Sequence, residues 1–350
     1  MAAMTTARPT QVGFLDTLGN TPLVRLDKVN PSDAVTLWGK LEQFNPGGSA
    51  KDRTAAALVE AAVANGTLSE GATLVESSSG NLGIALARQA LVNGWGFRCV
   101  VDPRVNRATV AMMEALGATV EFVTEPDPET GDWLVARRKK VRDLVDSIPG
   151  AVNLDQYSNP AARRAHSEGT MREIVRDLGR APDWLFVAVS TTGTIGGCAD
   201  YAEAIGADTR IVGVDAEGSV LFGGKRGDRH LPGFGAGAVP DLSLSVKPAR
   251  VDRIDDVSSV VGARVLAATE GILPGASGGA VITAALRAVE AMDPGSSAVL
   301  IFHDAGSAYL DTVYNDEWVQ DTFGVAPQEL QRRVDTVVAE CAGPSQVVRN

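Results

Sequence analysis

The chain has 350 residues, a formal net charge of −11, and the mixture of apolar and charged residues of an ordinary globular protein. That acidity excludes nucleic acid and anionic membrane surfaces as natural partners, because both select positive charge. Three cysteines and three histidines, all widely spaced, offer neither a disulfide framework nor a metal-ligand set, so no metal site is expected and a reducing cytoplasmic setting is the default.

Met1 to Gln11 contains no apolar signal-like core, and no later stretch approaches the length of a membrane span. The first informative segment is Asn45-Pro46-Gly47-Gly48-Ser49-Ala50-Lys51. A Pro-Gly-Gly turn leads into Lys51, and Leu58, Val59, Ala62 and Val63 follow with the spacing of one buried helix face. Lys51 therefore opens a helix that packs inward. The positive end of the helix dipole disfavours an ammonium there and leaves an amine suited to Schiff-base chemistry. A solvated surface lysine is the alternative reading of this segment alone.

Strands are predicted at Thr73 to Val75, Phe97 to Val101 and Val120 to Val123, alternating with helices at Leu82 to Val92, Thr109 to Leu116 and Trp133 to Ser147. Glu125 to Asp132, rich in Pro, Asp and Glu, reads as a surface loop. The second half repeats the style. Strands fall at Trp184 to Val189, Ile211 to Val214 and Ala298 to Phe302, with helices at 161–178, 261–270 and 279–292. The glycine-rich stretch from Gly223 to Gly237 reads as a long mobile segment. After Gly324, Leu330, Val334, Val337 and Val338 mark one more amphipathic helix. The alternation predicts an α/β protein with two open, twisted, mostly parallel sheets and a cleft between two domains.

Two strand-to-helix loops carry the chemistry. Glu76-Ser77-Ser78-Ser79-Gly80-Asn81-Leu82 offers hydroxyls and free helix N–H groups to a carboxylate-sized anion, although taken singly that loop reads more readily as a plain serine cap. Val189-Ser190-Thr191-Thr192-Gly193-Thr194-Ile195-Gly196-Gly197 is denser in donors and fits a phosphate. It lacks the lysine of a nucleotide P-loop and is not GxGxxG, so a phosphorylated cofactor that is not a nucleotide is expected. In open α/β sheets ligands bind beyond the carboxyl ends of the strands, where both loops begin. An amine, a phosphate cradle and a carboxylate cradle match pyridoxal 5'-phosphate and an amino-acid substrate.

Together with Leu18-Gly19-Asn20-Thr21-Pro22-Leu23-Val24, Leu154-Asp155-Gln156-Tyr157-Ser158-Asn159-Pro160, Pro232-Gly233-Phe234-Gly235-Ala236-Gly237 and the segment Glu270 to Gly279, these loops carry a resemblance. The chain resembles the fold-type II pyridoxal-phosphate enzymes of the cysteine synthase and cystathionine β-synthase group, over most of its length to about Asp311. The resemblance implies a tryptophan synthase β-subunit-like fold with the cofactor in the interdomain cleft. It implies a smaller mobile carboxylate-binding domain at 45–155, a larger phosphate-binding domain at 10–44 plus 156–324, a C-terminal helix and tail at 325–350, and a homodimer. By the same resemblance Lys51 is the Schiff-base lysine, Asn81 bonds the cofactor's 3' oxygen, Ser78, Ser79 and Gly80 hold the substrate carboxylate, and Gln156 supports that pocket. Thr191, Thr192, Gly193 and Thr194, with Ser190 beside them, hold the phosphate. Gly233 lines the cofactor face, and Asp304 falls at or next to the position facing the pyridine nitrogen. Leu82 replaces a hydroxyl, the phosphate loop is poorer in glycine than usual, and Asp304 stands where serine is common. Facing the ring, Asp304 favours a protonated pyridinium; turned to solvent, it leaves that place to a neighbour.

The implied reaction is β-replacement. Lys51 removes the α-proton of an O-activated L-serine, the β-leaving group departs to give an α-aminoacrylate, and a nucleophile adds to the β-carbon. The serine loop, Val214 to Ser219 and Tyr309 to Tyr314 are similar to the branch that joins O-phospho-L-serine to L-glutamate, giving N-(2-amino-2-carboxyethyl)-L-glutamate for 2,3-diaminopropionate. Both substrates need cationic recognition. Arg163, Arg164, Lys225, Arg226 and Arg229 are the candidates, with Arg226 and Arg229 preferred because a glycine-rich lid would carry them, and Tyr157 is expected to shape the nucleophile pocket. Each of these cations reads equally well as a surface residue. The runner-up is a cysteine or S-sulfocysteine synthase using O-phosphoserine or O-acetylserine. A non-catalytic binding protein is disfavoured by retention of Lys51, Asn81 and the threonine loop.

Overall fold

The computed structural model describes residues 13–346; the opening segment through residue 12 and the last four residues of the tail lie outside the described residues. Two sheets organise the chain. The larger has six strands in the order β1-β2-β10-β7-β8-β9: β1 (Leu23–Arg25), β2 (Thr36–Leu41), β7 (Trp184–Ala188), β8 (Arg210–Ala216), β9 (Arg250–Ile254) and β10 (Ser297–Phe302). Only the β1/β2 pair is antiparallel. The smaller has four parallel strands in the order β5-β4-β3-β6: β3 (Thr73–Ser77), β4 (Gly96–Val101), β5 (Thr119–Phe122) and β6 (Ala151–Val152). All of its strands come from residues between β2 and β7, so a compact unit is inserted into the larger one.

Buried parallel strands must be apolar on both faces, and β10, Ser-Ala-Val-Leu-Ile-Phe, is buried at every position. One face of the larger sheet packs on α8 (Asp256–Glu270) and α9 (Ala276–Ala288); the other packs on α6 (Arg172–Leu178) and α7 (Gly193–Ala204). The smaller sheet lies between α1 (Lys51–Ala64) with α2 (Asn81–Asn93) on one face and α4 (Trp133–Ser147) on the other, while α3 (Arg107–Ala115) borders α2. Asn106, Asp132, Asp255 and Asn315 each accept a backbone N–H and so begin α3, α4, α8 and α10 (Asp316–Phe323). The final helix, α11 (Pro327–Gln346), lies against α8 and buries Leu330 and Val334, with Val337 and Val338 packed beside them. Burying such a side chain is worth on the order of 1.5–3 kcal/mol, so α11 caps the larger core.

Two expectations change. Val63 is 48% exposed, and the buried stripe of α1 is Ala55, Leu58, Val59 and Ala62; Val63 sits roughly 100° round the helix from Ala62 and leaves the stripe. The helix expected over 161–178 is interrupted. Between α5 (Ala161–Ala165) and α6 the residues His166–Met171 form a π-helical turn, a feature that recurs at functional sites.

Four buried charges lock α1 to the larger unit. Arg53 on α1 donates to Glu42 at 2.7 and 3.0 Å and to Glu173 on α6 at 2.8 and 2.7 Å. Lys40 on β2 donates to Glu173 at 2.8 Å and to the Thr21 carbonyl at 2.7 Å. Burial alone would raise the Glu173 carboxyl, but Arg53 and Lys40 hold it down at about 2. Removing one member of such a set strands the others, so Arg53→Leu is expected to cost about 3–5 kcal/mol, read by urea unfolding. Because the folded value for Glu173 lies below its ordinary 4.5, its contribution is complete above that pH and fades as the pH falls toward about 2. An acid titration followed by near-ultraviolet circular dichroism should show that loss, and Glu173→Gln should remove it.

Candidate active site

The cavity lies between the two sheets, beyond the carboxyl ends of β3, β7 and β10, and Lys51 is part of its wall. The backbone places it there. Gly48, at φ +86°, turns the chain, Ser49 bridges to Asp304, and the Ala50 N–H donates to the His303 carbonyl at 2.8 Å. The lysine loop is thus stitched to the end of β10. Burial pushes the Lys51 amine below its ordinary value, and the Asp304 carboxylate opposes that shift. The dominant cause is therefore desolvation, where the sequence pointed to the helix terminus; the amine is enclosed by both units, and a buried ammonium loses its hydration.

The serine loop opens α2. The Ser78 hydroxyl accepts the Gly83 N–H at 3.0 Å and a longer one from Gly80, so it serves as an internal helix brace as well as a cavity-lining group. Ser79 is exposed to the cavity mouth, and Gly80 precedes the first turn of α2, whose leading N–H groups lack intrahelical acceptors. Gln156 supports this loop from behind through Nε2, which donates to the Ser77 carbonyl at 3.4 Å. Asn81 donates to Asp304 Oδ2 at 2.8 Å, and the Tyr309 hydroxyl donates to the same oxygen at 2.6 Å. Asp304 is 4% exposed, which removes the solvent-facing alternative, and burial raises its carboxyl against the pull of Tyr309, Asn81 and Lys51.

The threonine loop opens α7. Thr192 adopts a left-handed φ of +66°, unusual for a β-branched residue, and so turns Ser190 to Thr194 around the helix N-terminus. Thr194 Oγ1 lies 3.3 Å from His166 Nε2, which also meets Thr54 Oγ1 at 3.1 Å; Nδ1 meets Thr170 at 3.0 Å. Burial keeps His166 well below its ordinary value, so the imidazole is neutral and joins α1 to the threonine loop through hydroxyls.

Of the residues singled out by sequence, Lys51, Ser78, Ser79, Gly80, Asn81, Gln156, Tyr157, Ser190, Thr191, Thr192, Gly193, Thr194, Gly233 and Asp304 come together around this cavity. Arg226 and Arg229 do not. Arg226 pairs with Asp132 at 3.2 Å and with the Gly237 carbonyl, and Arg229 packs by Gly235 and Gly237 near Asp215. Arg163 pairs with Asp200 and Ser245, and Lys225 is exposed and, like Arg164, is not part of this wall. The arginine in the wall is Arg137, which sequence reasoning missed. It is buried on α4, its Nε lies 3.3 Å from Asp102 Oδ2 without a hydrogen bond, and it shares the wall with Ser78, Gln156 and Tyr157. Its signal was in the sequence: Arg137 falls in register with Val141 and Leu144, a charge on the buried stripe of its helix. His303 and Ser277 also line the cavity unforeseen.

The residues fit a phosphorylated aldehyde cofactor. Asp304 Oδ1 and Ser277 Oγ are buried in the wall without hydrogen-bond partners, ready for a ring nitrogen, while Lys51 supplies the amine and the start of α7 the anion cradle.

A family model described as pyridoxal-phosphate dependent enzyme matches residues 14–304. Among solved structures, O-ureido-L-serine synthase is 31% identical with a TM-score of 0.79, covering 90% of this chain and 96% of its own. The O-acetylserine-dependent cystathionine β-synthase from Helicobacter pylori is 31% identical with a TM-score of 0.80, covering 88% of this chain and 100% of its own. A hydrogen sulfide-producing enzyme from Fusobacterium nucleatum is 29% identical with a TM-score of 0.79, covering 85% and 99% respectively.

Asp304 opposes the loss of the Lys51 proton, so Asp304→Asn should move Lys51 deprotonation to lower pH. The pH dependence of imine formation between the apoprotein and pyridoxal phosphate, followed by absorbance, measures it; an unmoved or upward midpoint contradicts the assignment.

Proposed function

The chain belongs to the pyridoxal-phosphate-dependent enzyme family, and within it we propose a β-replacement enzyme that joins O-phospho-L-serine to L-glutamate, giving N-(2-amino-2-carboxyethyl)-L-glutamate. Pyridoxal phosphate, when bound, supplies an aldehyde for the substrate amine and a ring that accepts the electron pair left by the α-proton. Asn81 and Asp304, held by Tyr309, would orient it on the ring side, and the loop from Ser190 to Thr194 would hold its phosphate.

Lys51 takes the α-proton at Nζ, a role suited to an amine that burial keeps from holding its proton tightly. Ser79, Gly80 and the first turn of α2 orient the substrate carboxylate, so that the Cα–H bond is presented to that amine. The step then runs without a change of oxidation state: the β-carbon loses phosphate with its bonding electrons and gains the glutamate nitrogen, which gives up a proton, and Lys51 returns the α-proton to Cα.

The observation that carries the choice of substrates is Arg137. The site already has one cradle for the cofactor phosphate and one for a substrate carboxylate; a buried guanidinium in the same wall, ion-paired with Asp102 through Nε but making no hydrogen bond there, adds a third anion receptor. A second amino acid with two carboxylates needs such a receptor, whereas sulfide does not. Tyr157 beside it, with Arg138 over its ring at 5.7 Å, gives the third receptor a rigid wall. The similar structures named for O-ureido-L-serine and O-acetylserine chemistry support an O-activated serine as the electrophile. A second reading, sulfur addition to give cysteine or S-sulfocysteine, draws on the similarity to a hydrogen sulfide-producing enzyme.

Incubating the enzyme with O-phospho-L-serine and either L-glutamate or sulfide, and weighing the products, separates the readings; cysteine alone would sink the first. Losing a charge-assisted hydrogen bond costs about 1.5–3 kcal/mol, so Arg137→Gln should raise KM for glutamate roughly ten- to hundredfold. An unchanged KM removes Arg137 from the nucleophile site.

A further inference from the structure

Directly behind the serine loop lies a buried polar pair that the proposed reaction does not use. Glu76, near the end of β3, is 3% exposed; its Oε1 accepts the Ser77 N–H at 2.9 Å, while its Oε2 is buried without a partner. The Ser77 hydroxyl beside it is likewise buried and unpartnered. Glu76 does not line the cavity. It precedes Ser78 by two residues, and its neighbour Ser77 accepts from Gln156, a residue of the cavity wall. A carboxylate in that position is unusual, because buried carboxylates are normally paired or fully hydrogen-bonded.

The charged and titratable groups around Glu76 do not pair it. Asp155, after β6, adds like charge, while its backbone N–H, the Ser77 N–H and Asn153 pull the other way. Tyr157 and Cys99 on β4 both feel Glu76, and both also feel Arg137. Arg137 itself is engaged by Asp102, and no cation is among the groups acting most strongly on Glu76. Burial, with Asp155, pushes the Glu76 carboxyl up to about 7.

We propose that Glu76 is a positioning residue that couples substrate binding to proton uptake: its carboxyl is protonated when an amino-acid carboxylate occupies the adjoining serine loop, and its ionised form weakens that binding. The inference rests on assigning the loop of Ser78 to Asn81 to the substrate carboxylate. An anion arriving in the loop stands within about 10 Å of Glu76, the most that three residues can span, and Glu76, Ser77 and Ser78 are all buried, so solvent screens it little. It stabilises the protonated carboxyl and so raises its proton affinity; by linkage, binding weakens as the pH rises through neutrality.

L-Alanine tests this on the holoenzyme, since it carries the amine and carboxylate but no leaving group. Its Kd is read from the cofactor absorbance between about pH 6 and about pH 8.5 for the wild type and Glu76→Gln, the glutamine imitating the protonated acid. The ratio of wild-type to variant Kd should lie near one at the acid end and rise about fivefold at the alkaline end. A flat ratio overturns the inference. An L-alanine affinity indifferent to Ser79→Ala overturns the loop assignment and the inference with it. Should the glutamine variant fail to fold, calorimetry of the wild type in buffers of different ionisation enthalpy decides: a proton-uptake component centred near neutrality supports the coupling, and its absence overturns it.

Discussion

Arg53 is the constraint around which the site is arranged. Two residues beyond Lys51, its guanidinium lies between Glu42 and Glu173 with Lys40 closing the set, two positive and two negative charges almost entirely out of water. A buried charge is tolerated only when its partners and geometry are nearly complete, and the planar fork of arginine leaves little rotational slack. The first turn of α1 is therefore held against β2 and α6. The neighbouring chain makes room for this. A Cβ at Gly19 would come within 3.0 Å of Arg53 Nη1 and one at Gly169 within 2.8 Å. Gly19 sits at φ +80°, and Gly169 lies in the π-helical turn. The Leu18-Gly19-Asn20 segment and the helix distortion, distant in sequence, are thus two sides of one guanidinium pocket.

The same π-helical turn delivers His166 to the gap between α1 and α7. Its neutral ring meets Thr54, one turn beyond Lys51 on α1, and Thr194 in the phosphate loop. A charged imidazole would be costly beside Arg53 and Lys51, both of which press its proton affinity down. Close packing fixes the other side of the loop: a Cβ at Gly197 would stand 2.1 Å from the Arg163 carbonyl. Lys51 and the threonine loop thus share one rigid mount, which is what a reaction depending on the placement of one amine requires.

What the sequence made legible follows from how local the signals are. The two anion loops and Lys51 announce themselves through turn residues, hydroxyls and the apolar strands before them, all within a few neighbours. The parallel strands β7, β8 and β10 have mainly apolar cores and were read directly, whereas β1, β2, β6 and β9 were not: β1 and β6 are three and two residues long, β2 breaks its apolar run with Gly39 and Lys40, and β9, Arg-Val-Asp-Arg-Ile, carries charges on an edge of the sheet. The arginines show the limit most clearly. Arg226 and Arg229 looked functional because they sit among glycines, but that loop folds on itself, and Arg226 reaches across to Asp132, the cap of α4. Arg137 shares a stripe with Val141 and Leu144 that the sequence shows, but the packing of α4 against the smaller sheet is what turns it to the cavity.

A chain with a net charge of −11 whose family binds a phosphorylated cofactor has to solve an electrostatic problem locally. At physiological ionic strength charges more than about 8 Å apart in solvent hardly interact, so the acidic exterior neither attracts nor strongly repels a substrate before it enters the cleft. Inside, where screening fails, the donors are the starts of α2 and α7 and the single guanidinium of Arg137. Helix termini bring positive potential without a side chain that must shed its own hydration. Two buried carboxyls, Asp304 in the cavity wall and Glu76 behind the serine loop, both lie above their ordinary values because burial favours their neutral forms. The permanent positive features of the cavity are therefore backbone and arginine, while burial works against the charge of the carboxyls nearby.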